Sequence, residues 1–139
     1  MSLLSSPAQG HLVLGWRRIA GTALVFCLLP ALVGAGMVLA TLVFGPEVLG
    51  REYLRVEGLA TFAMISPLLT GPVWAVIGLG SAYLLRAGWF GSFPAALLGA
   101  AAYGVVAWMG GLGPFLLGFG AVSALIYRMA LALQRPEAV

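Results

Sequence analysis

Polar side chains that could do chemistry are concentrated in the segment SPLLTGPVW, residues 66–74. Ser66 and Thr70 are four residues apart, so on a helix their hydroxyls share a face and can donate to nearby backbone carbonyls. Pro67 and Pro72 each lack the N–H that would bond the carbonyl four residues earlier. We therefore expect a kink or a local unwinding here, with orphaned carbonyls that protein groups must satisfy.

Two aromatic side chains extend this candidate site. Trp74 and Tyr103 lie too deep in their apolar stretches to be ordinary interface anchors. Because broken membrane helices often expose backbone at a ligand or ion site, the functional interpretation is a small polar pocket near the bilayer midplane. The alternative is a packing kink, with both rings hydrogen-bonded inside a bundle. The candidate residues are Ser66, Pro67, Thr70, Gly71, Pro72, Trp74 and Tyr103.

The other reactive residue types are isolated. His11 is the single histidine and lies in the N-terminal tail, while Cys27 is the single cysteine and lies in an apolar stretch. Neither has partners at a metal-binding or disulfide spacing. Ser66 and Ser123 have no candidate base nearby in the sequence. We therefore predict no catalytic residues, no metal site and no cofactor, and we do not expect an enzyme.

The composition indicates what solvent surrounds the chain. Hydrophobic residues make up 62% of the sequence and charged residues only 8%, with a mean hydropathy of +1.07. A soluble domain carries about 25% charged residues. We therefore predict an integral membrane protein, and the scattered arginines do not suggest a nucleic-acid surface.

Four apolar stretches predict an all-α, four-helix transmembrane bundle. The spans are expected at about 19–44, 58–85, 95–110 and 114–133, because about 20 apolar residues cross the hydrocarbon core. A tail (1–18), an outer loop (45–57) and a stub (134–139) complete the chain. The third and fourth stretches could form one helix, but GGLGP is strong turn chemistry. An uncleaved first span is favoured over a signal peptide, whose apolar core is shorter.

Arginine asymmetry predicts the orientation. Five arginines are cytoplasmic if both termini are inside, and only Arg51 and Arg55 are then outside. We therefore predict an N-in/C-in protein of a bacterial inner membrane. Arg128 lies within the last apolar stretch, where its side chain is expected to snorkel to the headgroups. The expected topology anchors are Arg17, Arg18, Arg86, Arg128 and Arg135.

The outer loop has a helical pattern of its own. Leu49, Tyr53 and Val56 recur at i, i+4 and i+7, which fits a short amphipathic helix at the interface. Glu52 or Glu57 could pair with the arginines beside them. The alternative is a solvated loop with ion pairs of little energetic value.

Small residues recur every four positions along the apolar stretches, which allows close helix–helix approach in lipid. The same stripes could serve packing within one chain or association with a second copy or another membrane protein. The residues expected at helix contacts are Ala96, Gly99, Ala100, Gly104, Gly78, Ala82, Gly120 and Ala124.

Two functional hypotheses follow. The first is a non-catalytic membrane subunit that packs against other membrane proteins, or against itself, through glycine and alanine faces. The alternative is a small dimeric transporter or channel for a neutral solute, built around the proline-broken second span. The absence of ionisable groups at midplane argues against proton-coupled transport.

Overall fold

The computed structural model describes residues 4–7, 10–111 and 113–139, and this part of the chain contains helices and no strand. The expectation of an all-helical protein is confirmed. Five α-helices and two short 3-10 helices follow one another in the described residues. They are α1 (Gly10–Leu14), α2 (Trp16–Leu49), a 3-10 turn (Gly50–Glu52), α3 (Tyr53–Ala87), α4 (Ser92–Met109), α5 (Phe115–Gln134) and a 3-10 turn (Pro136–Ala138).

The chain divides into two compact units. Unit 1 comprises Met1–Leu24 and Val73–Val139, and unit 2 comprises Val25–Pro72. Unit 2 is a helical hairpin, because α2 is interrupted at Gly45, whose backbone has φ 63° and ψ 175°. A non-glycine residue would be strained at this φ, so glycine permits the break. The two arms meet at Gly34, where an added Cβ would lie 2.7 Å from the carbonyl oxygen of Ala60.

Unit 1 is organised around the antiparallel pair α4 and α5. The buried residues of α4 are Ala95, Gly99, Ala102, Tyr103 and Ala107, and those of α5 are Gly120, Ala124, Tyr127, Arg128 and Leu131. Hydrogen bonds attach α5 to the start of α2. The Tyr127 hydroxyl donates to the carbonyl of Ile19 over 3.0 Å, and the Gln134 amide donates to the Thr22 hydroxyl over 2.9 Å.

Helix α3 ends in a glycine cap that starts the turn into α4. The N–H of Gly88 donates to the Leu85 carbonyl and the N–H of Trp89 donates to the Leu84 carbonyl. Gly88 has φ +73°. This pair of bonds around a left-handed glycine is the Schellman motif, which satisfies carbonyls that the end of a helix would otherwise leave free. The turn Gly88–Gly91 is therefore well defined.

Both chain ends fold onto this same end of unit 1. Ser6 N–H donates to the Gly88 carbonyl, and the Phe90 N–H donates to the Ser6 hydroxyl. Gly10 packs against the backbone of Ala138, so α1 contacts the C-terminal 3-10 turn. The sequence predicted only a tail (1–18) and a stub (134–139) at the two ends of the chain. The structure instead folds Gly10–Leu14 into a helix, because the small side chains at Gly10 and Ala138 permit a close approach.

Most large apolar side chains lie on the outside of the helices. Leu68, Val43 and Trp108, for example, are 82%, 77% and 85% exposed. Among the residues that the structure describes, three helical stretches are long and apolar enough to cross a membrane: Trp16–Ala87, Ser92–Met109 and Phe115–Gln134. Soluble monomers rarely expose such continuous apolar surface, so these features indicate a membrane protein.

Candidate functional site

The proline segment of α3 remains helical. Helix α3 runs from Tyr53 to Ala87 with Pro67 and Pro72 inside it, so the local unwinding that the sequence suggested is not found. The Ser66 hydroxyl donates to the carbonyl of Ala63 over 2.8 Å. That carbonyl is the one that loses its normal helical partner at Pro67. The serine beside the proline therefore supplies the missing hydrogen bond within the same helix.

The Thr70 hydroxyl donates to the Ser66 carbonyl over 3.0 Å. The Cys27 thiol, on the other arm of the unit 2 hairpin, lies 3.9 Å from the Pro67 carbonyl as a weak donor. The polar groups of this segment are thus directed at the backbone around Pro67. The Ser66 and Thr70 hydroxyls both donate to backbone carbonyls of α3, and this arrangement stabilises a proline-containing helix.

We predict that Ser66→Ala destabilises the protein by about 1–2 kcal/mol, because it orphans the Ala63 carbonyl. In a Pro67→Ala background the N–H of residue 67 can donate to the Ala63 carbonyl. Ser66→Ala should then lower the free energy of unfolding by less than about 0.5 kcal/mol. Chemical unfolding of the four proteins in a mild detergent measures this coupling.

Thr61→Ala is the matched control for this cycle. The Thr61 hydroxyl donates to the Glu57 carbonyl over 2.9 Å, but no proline removes the N–H that also serves that carbonyl. Thr61→Ala should therefore leave the free energy of unfolding nearly unchanged, both with Pro67 present and in the Pro67→Ala background. Equal costs for Ser66→Ala with and without Pro67 would contradict this role for the serine.

Trp74 and Tyr103 belong to unit 1, whereas the other five residues of the candidate pocket belong to unit 2. Trp74 is 6% exposed and its ring lies 6.0 Å from that of Tyr127 at an interplanar angle of 56°. Tyr103 is 5% exposed and meets Phe119 edge to face, with ring centroids 5.4 Å apart. Such tilted and edge-on pairs are favourable aromatic packing. Within unit 1 both rings fill the interior.

The helix-contact residues divide by how closely they approach a neighbour. Gly99 and Gly120 face each other across α4 and α5, since a Cβ on either would overlap the backbone carbonyl of the other. A Cβ on Gly99 would also lie 2.5 Å from that of Ala124, and one on Gly104 would lie 2.8 Å from Leu117. Gly99, Gly104, Gly120 and Ala124 therefore form the α4–α5 contact.

The remaining small residues of the predicted stripes lie elsewhere. Ala96 and Ala100 on α4 are half-buried, one residue away from the buried line that includes Ala95 and Gly99. Ala82 on α3 is also half-buried, and Gly78 is in ordinary contact with Ala23, at 3.4 Å from an added Cβ. The residues in closest contact are set by the face that α4 turns to α5.

Arg128 differs most from its expected position. Its side chain is 2% exposed and does not snorkel outwards. Nε donates to the carbonyl of Phe90 over 3.0 Å, while Nη2 is buried without a hydrogen-bond partner among the described residues. The spacing of small residues along α5 indicates that Arg128 should be buried. Arg128 follows Gly120 and Ala124 at i+8 and i+4, so it continues the small-residue face that packs against α4.

The other four arginines proposed as topology anchors are exposed. They are Arg17, Arg18, Arg86 and Arg135. Arg135 pairs with Glu137 over 3.3 Å, and Arg18 is close enough to that carboxylate to interact with it electrostatically. The pKa of Glu137 is lowered, first by a hydrogen bond from its own backbone N–H and then by Arg135. These contacts place Arg18, Arg128 and Arg135 at the end of unit 1 where the termini meet.

The predicted outer loop is mostly helical. Tyr53 already starts α3, so the amphipathic pattern belongs partly to the first turn of that helix. Leu49, Tyr53 and Val56 are half-buried, and the neighbouring charged side chains are exposed. Arg55 pairs with Glu52 at 3.2 Å, with both side chains more than half exposed. An exposed pair at i, i+3 contributes little to stability.

In the part of the chain that the structure describes, no three His, Cys, Asp or Glu side chains come together in a metal-binding arrangement. Comparison with protein-family models, with curated proteins and with solved structures gave no match to this chain.

Proposed function

We propose that this protein is a small, non-catalytic polytopic membrane protein that acts as an accessory or assembly subunit. It would bind another membrane protein, or a second copy of itself, through glycine-containing helix faces. The observation that supports this most is the division of the glycines into two groups. Gly34, Gly99 and Gly120 are occupied by contacts within a unit, whereas a Cβ on Gly36 or Gly118 would meet no atom within 4 Å.

The unoccupied glycines are suited to close helix contacts. In lipid, apolar side chains gain little by leaving one apolar surrounding for another, so association depends on close packing at small residues. Gly36 lies on α2 in unit 2 and is flanked by exposed Leu32 and Val33. A partner helix could approach its backbone as closely as α3 approaches Gly34. We propose the Gly36 face as the first candidate contact.

Membrane insertion with four crossings is part of the proposal. The stretch Trp16–Ala87 has 72 residues. At about 1.5 Å per residue a straight helix of this length would exceed 100 Å, whereas the hydrocarbon core is about 30 Å thick. The break at Gly45 allows α2 and α3 to cross separately. Together with α4 and α5 this gives four membrane crossings, an even number that puts both termini on the same side. The arginine bias favours the cytoplasm of a bacterial cell as that side.

The alternative, a transporter or channel for a neutral solute, has less support. It relied on Ser66, Thr70, Trp74 and Tyr103 offering polar groups to a solute. The two hydroxyls donate to carbonyls of α3, and the two rings are packed against other aromatic side chains. Non-catalytic assembly therefore explains these residues more simply.

Gly36→Leu is expected to weaken association by at least about tenfold, equivalent to about 1.4 kcal/mol, because the side chain blocks close backbone approach. The readout is the mass of the complex purified in a mild nonionic detergent. Helix content and the unfolding midpoint should not fall below wild-type values, since a Cβ at this position contacts nothing in the chain and leucine has a higher helix propensity than glycine.

Gly34→Leu is the matched control, two residues away on the same helix. Its Cβ would lie within 3.0 Å of Ala60, Ala63 and Met64, so it should lower the unfolding midpoint of the isolated chain. A wild-type protein that purifies as a monomer with no bound partner would overturn the assembly proposal. So would a Gly36→Leu variant that retains the wild-type complex.

A further inference from the structure

The turn between α3 and α4 carries an apolar groove of about 490 Å³. This volume is within the range of about 300–1,000 Å³ that is typical of small-molecule sites. Leu4 forms one wall and Trp89 of the turn another, and Phe93 and Leu97 of α4 complete it. These four side chains are 54–68% exposed, so the groove is open and accessible.

Hydrogen bonds hold the walls of this groove in place. The N-terminal segment is fixed by the two bonds of Ser6, to the Gly88 carbonyl at 3.0 Å and from the Phe90 N–H at 3.3 Å. On the inner side Arg128 Nε holds the Phe90 carbonyl at 3.0 Å. These hydrogen bonds hold the groove in shape, which reduces the entropy lost when a chain-like molecule binds.

The same end of unit 1 carries an excess of positive charge. Arg86 is exposed and precedes Gly88 of the groove by two residues. Arg128 Nη2 is buried without an acceptor in the described part of the chain. The nearby carboxylate of Glu137 is already paired with Arg135. An apolar groove that follows an exposed arginine by two residues complements a molecule that is apolar along its length and anionic at one end.

We propose that this groove binds one acyl chain of an anionic phospholipid, with the lipid phosphate at Arg86. Leu4, Trp89, Phe93 and Leu97 contact the chain, and the exposed guanidinium supplies the charge-assisted hydrogen bonds. A zwitterionic lipid offers the same chain but no net charge. The inference rests on the membrane insertion proposed above and is independent of any protein partner.

Tryptophan fluorescence in vesicles tests the site. The full-length protein is reconstituted with phosphatidylglycerol or phosphatidylcholine that carries bromine on the acyl chains, which quenches tryptophans in contact. The Trp89 signal is the difference between wild type and Trp89→Phe. We expect the fraction of brominated lipid that gives half-maximal quenching of this signal to be about fivefold lower for phosphatidylglycerol than for phosphatidylcholine. This ratio corresponds to about 1 kcal/mol per arginine near an anionic surface.

Two arginine variants distinguish the contribution of the Arg86 charge to lipid binding from that of the apolar groove. Arg86→Gln should remove the preference for phosphatidylglycerol and leave quenching by the acyl chain. Arg51→Gln, an exposed arginine in unit 2, should retain the preference. Equal quenching by both lipids in the wild type, or a preference that survives Arg86→Gln, would overturn the assignment of the phosphate.

Trp108 distinguishes failure of the site from failure of insertion. It is 85% exposed and lies at the opposite end of α4. Its signal, taken from Trp108→Phe, should be quenched by both lipids if the protein is inserted. Quenching at Trp108 without quenching at Trp89 would overturn the groove, and no quenching at either would contradict membrane insertion itself.

Discussion

Gly120→Leu is expected to destabilise the protein by about 3 kcal/mol or more, because overpacking a tight helix contact forces the backbones apart. A Cβ at Gly120 would overlap the Gly99 carbonyl and lie 2.7 Å from the Cβ of Tyr103. Both of those neighbours are fixed by helix α4, so the strain cannot be relieved by rotating a flexible side chain. Loss of helix content with rising denaturant in detergent measures the effect.

Gly118→Leu provides the control, two residues earlier on the same helix. A Cβ at Gly118 meets nothing within 4 Å, so leucine there should change the midpoint very little. Both substitutions remove a glycine from α5 and add the same apolar side chain, so helix propensity and hydrophobicity cancel in the comparison. Equal midpoints for the two variants would contradict the Gly99–Gly120 contact.

Arg128→Ala is expected to cost about 3–5 kcal/mol, because it removes a large buried side chain and leaves a cavity. It also leaves the Phe90 carbonyl without the donor that Arg128 Nε provides over 3.0 Å. Arg128→Met fills most of the volume and removes a charge that has no counterion among the described residues. It should therefore cost only about 1–2 kcal/mol, the penalty of the orphaned carbonyl.

The order of the two arginine variants is the informative result, measured as unfolding midpoints in one detergent. Arg17→Ala, an exposed arginine at the start of α2, should be close to wild type. If Arg128→Ala were as mild as Arg17→Ala, the side chain would be at the surface, as snorkelling requires, and the buried position would be wrong.

Several features of the fold follow from local chemistry. The low charge and long apolar runs predicted helices in a membrane, and the turn chemistry of GGLGP predicted a break between the third and fourth apolar stretches. The hydrogen bond from Ser66 to the Ala63 carbonyl also needs only neighbours in sequence. These interactions connect residues within one turn of helix, so the sequence alone contains the required information.

The choice of helix faces needed the tertiary structure. In a soluble helix the apolar stripe identifies the buried side, but in lipid the outward and inward sides are both apolar. The sequence therefore predicted contacts at Ala96, Gly99, Ala100 and Gly104 without ranking them, whereas in the structure Gly99 makes the closest contact with α5.

The burial of Arg128 and the folding of both termini against the α3–α4 turn were also decided by tertiary contacts. Each depends on residues far apart in the chain, such as Arg128 with Phe90 and Gly10 with Ala138. Composition and spacing determined that the chain forms apolar helices long enough to span a membrane. Only the packed structure determined which small residues meet and where the arginine points, because close backbone approach depends on two helices at once.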